Sequence, residues 1–314
     1  MRALKEMDWD KYLLPVLLLA ILIIFGFVNP AFLSSRNIVQ TIRQGAVLFC
    51  LVCGQMLPLV TRGIDLSQGS VMSLTSIAIL SFTYVSGAYL GSVFAILTGT
   101  ACGFINGLLI AYLGIPAIIV TLSMLFFASG VALVYTGGVT LTNLSQIDGG
   151  RLFWFGGESL WVFPIPCLFA VLLGGGAYYL LKYSVSGRQI WFLGSNPEAS
   201  FMSGVNIKRT VLIVYILSAF GASIASFFLT SRLCMGFPIL GAPWLVLSIG
   251  GAVVGGVSVQ GGKGGVWNAA LGSAIMVCLD NGLIVSGFST FAREAIIGAL
   301  ILTACSLSSI RGKN

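Results

Sequence analysis

The 314-residue chain contains no histidine, only nine Asp and Glu residues, and no polar stretch long enough for a soluble domain. Without histidine it lacks the commonest general base and metal ligand near neutral pH. There is also no nucleophile elbow and no pair of carboxylates placed for acid and base roles, so an enzymatic reading has nothing to stand on. Gly261-Gly262-Lys263-Gly264-Gly265 resembles a phosphate cradle, but a Walker loop needs Gly at 257 and Ser or Thr at 264, and those positions are Val257 and Gly264. Seven cysteines lie mostly within apolar runs. Cys50 and Cys53 form a CxxC with no second pair and no histidine, which makes them small packing residues rather than metal or redox groups. No cofactor and no metal is expected.

Charge is scarce as well. Charged residues make up 8% of the chain, against about 25% in ordinary soluble domains. What charge there is sums to +7. Without a soluble basic surface this excludes a nucleic-acid partner, and reports topology and contact with anionic membrane lipid instead.

Apolar residues are abundant, at 57%. A membrane-spanning helix needs about 20 of them, because a 1.5 Å rise per residue must cross roughly 30 Å of hydrocarbon. Ten such stretches fit: 12–28, 39–60, 67–87, 90–113, 115–136, 161–181, 211–231, 244–259, 266–285 and 291–307. They lack the period-2 alternation of barrel strands, so the expected fold is an all-α polytopic bundle of about ten transmembrane helices. The first run is too long for a signal peptide and exits through Asn29-Pro30-Ala31-Phe32, with no small-x-small cleavage site, so it reads as an uncleaved helix.

Basic residues orient the bundle. With both termini cytoplasmic, Arg2, Lys5, Lys11, Arg62, Lys182, Arg188, Lys208, Arg209, Lys263, Arg311 and Lys313 fall inside, while Arg36, Arg43, Arg151, Arg232 and Arg293 fall outside or near that face. Only two connections are substantial, 137–160 outside and 182–209 inside, and the rest read as tight turns. One membrane domain, 1–314, results. The second to fifth spans start outside and the seventh to tenth start inside, the parity of an inverted repeat. Gly99, Gly103 and Gly107 share one helix face at the spacing that lets membrane helices approach closely, and point to internal packing.

Function must then reside in polar residues at membrane depth. Asp65, with Leu66 and Ser67, sits at a break between spans, where it reads either as an N-cap or as part of a pathway. Asn106, Thr121, Asp280 and Asn281 are further candidates, suited to a polar uncharged solute or equally to hydrogen bonds between helices. In the inner connection, about 183–209, Asn196 is a cap residue, Pro197 takes the first helical position and Gly204 closes the segment. The signals bound a short amphipathic helix on the cytoplasmic face.

Several blocks in one order make the chain resemble the membrane permeases of ribose-type sugar ATP-binding-cassette importers, the family that also takes in autoinducer-2 importer permeases. They are Gly63-Ile64-Asp65-Leu66-Ser67 with Gly69-Ser70-Val71, Ile105-Asn106-Gly107-Leu108-Leu109, Pro116 to Leu122, the Gly187-Arg188 to Gly204 loop, Gly255-Gly256, Gly261 to Gly264, and Asn281-Gly282-Leu283. The resemblance implies a bacterial inner-membrane transport subunit without its own ATPase site. It would pair with a second permease copy or a paralogue, receive sugar from a periplasmic binding protein, and be driven by a cytoplasmic tandem-cassette ATPase. It also implies that Asn196, Pro197, Glu198, Ala199, Ser200, Ser203 and Gly204 form the coupling helix seated in that ATPase.

The sequence departs from this family at several places. The family usually has Gly where Arg62 stands, Val for Gln68, an Arg for Ser129, acidic residues near Trp244 and Val246, and a Gly-Thr pair for Trp267-Asn268. The substrate is therefore not inherited from the resemblance. An ion-coupled secondary transporter is the alternative, with Asp65 and Asp280 as its only mid-chain carboxylates.

Overall fold

A computed structural model describes residues 9–161 and 163–311, with side chains described from 13 to 306 except residue 162. Arg2, Lys5 and Lys313 of the charge tally lie outside the described residues. Among the described residues there are fourteen α-helices, one 3-10 turn at Pro30–Leu33 and a two-stranded antiparallel hairpin, Ser159–Leu160 with Phe163–Pro164. In chain order the helices are α1 (Trp9–Val28), α2 (Ser35–Val60), α3 (Gln68–Ser86), α4 (Ala88–Leu113), α5 (Ala117–Thr136), α6 (Leu144–Asp148), α7 (Phe153–Gly157), α8 (Ile165–Tyr183), α9 (Val185–Ser195), α10 (Pro197–Met202), α11 (Ile207–Leu233), α12 (Ala242–Val254), α13 (Val266–Val285) and α14 (Thr290–Arg311).

Each of the ten expected stretches falls on a helix. Seven of these, α2, α3, α4, α5, α8, α11 and α13, are long and apolar enough to cross a membrane, and Leu13–Val28 and Ala242–Val254 are shorter apolar helices. The result is an all-α polytopic membrane bundle.

α2 is its centre. Every residue from Ala46 to Val60 except Phe49 is buried, enclosed by α11, α13, α12 and α8. α11 packs on α4 through the glycine face: a Cβ at Gly99 would strike Ser223 and Thr75, at Gly103 the backbone of Tyr215 and the side chain of Ala219, and at Gly107 Leu212. The close approach is internal, as the spacing implied. α3 runs parallel to α11 along a polar seam in which Ser226 Oγ donates to the Met72 carbonyl at 2.6 Å and Thr230 Oγ1 donates to Ser76 Oγ at 2.8 Å. Short hydroxyls of this kind hold helices together where lipid supplies no hydrophobic drive.

Two boundaries differ from expectation. α8 starts at Ile165 rather than 161, because the chain first forms the small hairpin and Pro164 caps the helix. The eighth span, expected at 244–259, is α12, only 13 residues long. Glycine-rich chain follows it, with Gly256, Gly261 and Gly262 at positive φ, a conformation that costs other residues about 1 kcal/mol or more. The connections on either side of α12, 234–241 and 255–265, are thus not tight turns.

Candidate functional site

The chain around α12 folds back into the bundle. From the end of α11 the stretch 234–241 descends beside α3. Gly236 exchanges both backbone hydrogen bonds with Leu141 at 2.8 Å, the Phe237 N–H donates to Ser76 Oγ at 3.3 Å, and the Gly241 N–H donates to Ser73 Oγ at 3.0 Å. It stops where Gly241 meets Gly69, so closely that a Cβ on Gly69 would lie 2.7 Å from the Gly241 carbonyl oxygen. α3 and α12 therefore begin back to back and run in opposite directions.

Their meeting point is deep. Gln68 Nε2 donates to the Leu51 carbonyl at 3.2 Å, nine residues before α2 ends, and to Ser218 Oγ at 3.0 Å, eleven residues into α11. At 1.5 Å per residue both place the junction about 14–17 Å from that face, half-way through a hydrocarbon layer of roughly 30 Å. Two helix N-termini, each with free N–H groups and a partial positive charge, thus face the bilayer midplane. Opposed, interrupted helices in matching positions of two halves are the hallmark of repeat-built transporters.

Asp65 sits at this junction and is completely buried. Its Oδ1 accepts from the Ser67 N–H at 2.9 Å and from Ser67 Oγ at 2.6 Å, and its Oδ2 accepts from Ser218 Oγ at 2.7 Å. Asn106 Nδ2 donates to Ser67 Oγ at 2.9 Å, and Thr121 Oγ1 donates to the Ile64 carbonyl at 3.2 Å. Four of the sequence candidates, Asp65, Ser67, Asn106 and Thr121, are brought together, and sequence reasoning missed Ser218 and Gln68. Ser67 precedes α3 but makes no side-chain cap, because its hydroxyl is turned to Asp65. The capping expectation is corrected accordingly: Asp65 holds the turn into α3 while also tying α11. Among the described residues no cation pairs with this carboxylate. Fully enclosed, the cluster joins α3, α4, α5 and α11 and lines no passage in this conformation.

Asp280 and Asn281 lie elsewhere, toward the opposite face. Arg293 grips one oxygen of Asp280 with two hydrogen bonds, at 2.8 and 3.1 Å, and Asn281 exchanges amide hydrogen bonds with Asn37 at 2.7 and 3.1 Å. These join α13 to α14 and to α2. They do not converge with Asp65.

The inner connection is mostly helical. α10 is two turns at most, with Asn196 Oδ1 accepting from the Ala199 N–H at 3.0 Å, Pro197 in the first turn, Ser200 buried, and Ser203 and Gly204 closing it, the latter at φ 77°. Its outer surface shows Glu198, Phe201 and Met202, the last two 73% and 89% exposed.

Directly behind α10, Arg62 Nε donates to the Gly194 carbonyl at 2.8 Å and Arg62 Nη2 to the Ser195 carbonyl at 2.7 Å. These are the last carbonyls of α9, where a cation offsets the negative end of the helix. The Gly262 N–H donates to the Val60 carbonyl at 3.0 Å. Three segments, the ends of α2 and α9 and the glycine loop after α12, are thereby knotted together. Arg62 itself has φ 65°, which accounts for glycine being usual in the family it resembles.

The family described as branched-chain amino acid transport system / permease component matches residues 37–305. The D-allose transport system permease protein of Escherichia coli (strain K12) is 30% identical over 308 residues, covering 97% of this chain and 93% of that one. The ribose import permease protein of the same organism is 33% identical over 292 residues, covering 92% and 90%. Its xylose transport system permease protein is 28% identical over 366 residues, covering 98% and 93%. No solved structure matches the chain.

Proposed function

The chain belongs to the family of branched-chain amino acid transport system permease components, and from that premise we propose that it is the membrane-spanning permease subunit of an ATP-binding-cassette importer for a sugar or sugar-like solute. It works in the bacterial inner membrane with both termini cytoplasmic, beside a second copy or a paralogue. A periplasmic binding protein delivers the solute and a separate tandem-cassette ATPase supplies the energy, a reading supported by the failure of Gly261 to Gly265 to match a Walker loop.

One observation supports the reading above the others. α10 is a short, capped, outward-facing helix, and the segment immediately before it is bonded by Arg62 to the turn that leads within three residues to the buried Asp65 junction. Nucleotide-driven motion of α10, through Pro197, Glu198, Ala199 and Ser200, would be delivered to the midplane start of α3, with Asn196, Ser203 and Gly204 holding its ends. The solute path runs along the uncovered side of the descending stretch and the first turn of α12, where Ile239, Ala242, Pro243 and Val246 are exposed at membrane depth. Asp65, Ser67, Asn106 and Thr121 act behind that surface as the element that shifts. An ATPase can bias such an equilibrium only by binding one state more tightly than the other. Asp280 is held by Arg293, which leaves the ion-coupled alternative with Asp65 alone.

Purification from native membranes in mild detergent tests the reading. The parent chain should bring down a tandem-cassette ATPase, and Glu198→Arg combined with Gly204→Trp should abolish that recovery without altering the yield of permease. Gly204 has open space around it, so the bulky side chain adds strain only at the end of α10. Failure to recover any ATPase under conditions that preserve other such complexes would overturn the assignment.

A further inference from the structure

A continuous groove separates α8 from α13, with α2 as its floor. It comprises a cavity of about 710 Å³ within the bundle's flank and one of about 590 Å³ at the end where α8 finishes, and the two share Tyr178, Val266 and Trp267. Small residues open it: Gly45 and Ala46 below, Gly175 on one wall and Ala270 and Ala274 on the other. The flank is almost wholly apolar. The end is not, since Lys182 and Arg188 stand there, exposed, beside Trp191, and no acidic residue lines either part.

Lys182 Nζ donates to Tyr178 Oη at 2.7 Å and lies over the Tyr178 and Tyr183 rings, which fixes the ammonium at the mouth while leaving donors unused. The wall from Cys167 to Tyr178 is about 16 Å long by helical rise, the depth of a single leaflet. Trp267, 74% exposed, lies where interfacial tryptophans sit.

We propose that this groove holds one anionic phospholipid of the cytoplasmic leaflet, its phosphate between Lys182 and Arg188 and one acyl chain laid along α2 between α8 and α13. The leaflet rests on the topology given under Proposed function. The charge of the mouth selects an anionic headgroup, and the length and apolarity of the flank fit a single chain. A second copy packed through the same face would leave the two cations without partners, because that face offers no acidic residue to pair with them.

Native mass spectrometry of the purified full chain, with phosphatidylglycerol or phosphatidylcholine added, tests this without any ATPase present, so its outcome and that of the importer reading are independent. One phosphatidylglycerol per chain should survive activation that strips phosphatidylcholine. Lys182→Glu with Arg188→Glu should reduce that retention at least fivefold, and Lys182→Arg with Arg188→Lys should preserve it. Gly175→Leu, placed where a Cβ meets nothing, should fill the flank and also reduce retention. Equal retention of the two lipids, or unchanged retention in the charge-reversed variant, overturns the proposal. So does a Gly175→Leu variant that dissociates a dimer with lipid retention unchanged, which would make the groove an interface between copies.

Discussion

Asp65→Ala should be strongly destabilising. It leaves the Ser67 N–H, Ser67 Oγ and Ser218 Oγ buried without their acceptor, and one to three kcal/mol for each such group gives a loss of about 3–9 kcal/mol. Thermal unfolding in detergent should fall by roughly 10 °C. Asp65→Asn keeps one acceptor oxygen toward Ser67 and presents an amide to Ser218, and should recover most of that loss. The pair also separates two roles. If the Asn variant folds and transports, hydrogen bonding at the junction is what matters. If it folds and does not transport, the carboxylate's charge belongs to the transport cycle. An Asp65→Ala chain as stable as the parent would show that the buried cluster contributes nothing to holding α3, α4 and α11 together.

Arg62→Ala should separate ATP hydrolysis from transport. The guanidinium makes two charge-assisted hydrogen bonds to the carbonyls just before α10, each worth about 1.5–3 kcal/mol. With them gone, α10 can move without carrying the turn at Asp65. In reconstituted vesicles solute uptake should drop about tenfold, the factor that 1.4 kcal/mol represents, while ATPase activity stays within twofold. Arg62→Gly should give the same loss of uptake and be more stable than Arg62→Ala, since glycine removes the strain of φ 65° that alanine keeps. Arg62→Lys should be intermediate, because a single ammonium reaches one carbonyl well. Uptake and hydrolysis falling in parallel in all three variants would mean that Arg62 only supports the fold.

The long helices were legible because their signal is length and apolarity, which lipid imposes regardless of neighbours. The α10 signals were legible too, being local: Asn196, Pro197 and Gly204 act on their own turn. The glycines of α4 announced close packing though not the partner helix. What could not be read was depth. Trp244 to Val259 looks like another span because it is apolar, yet α12 begins at Ala242 only because Ser73 and Ser76 of α3 draw 234–241 down into the bundle. Those contacts join residues more than 160 positions apart. For the same reason Ser218, one of many serines in an apolar run, gave no hint that it holds Asp65, and Asp280 gave none that Arg293 already occupies it. Arg62 was visible as a departure from the family pattern, but its role needed the backbone of Gly194 and Ser195 beside it.

α12 covers about 20 Å, some 10 Å less than the hydrocarbon layer, and the remainder of that crossing is extended chain. Hydrocarbon cannot solvate peptide groups, so irregular backbone at this depth is stable only against protein or water. One edge of the descending stretch is matched by Leu141, Ser76 and Ser73, and among the described residues the other edge has no such hydrogen-bonded cover. A solitary subunit would therefore have to admit a wet cleft half-way into the membrane. In the pair proposed above, the neighbouring permease would be as much a watertight seal as it is the other wall of the path.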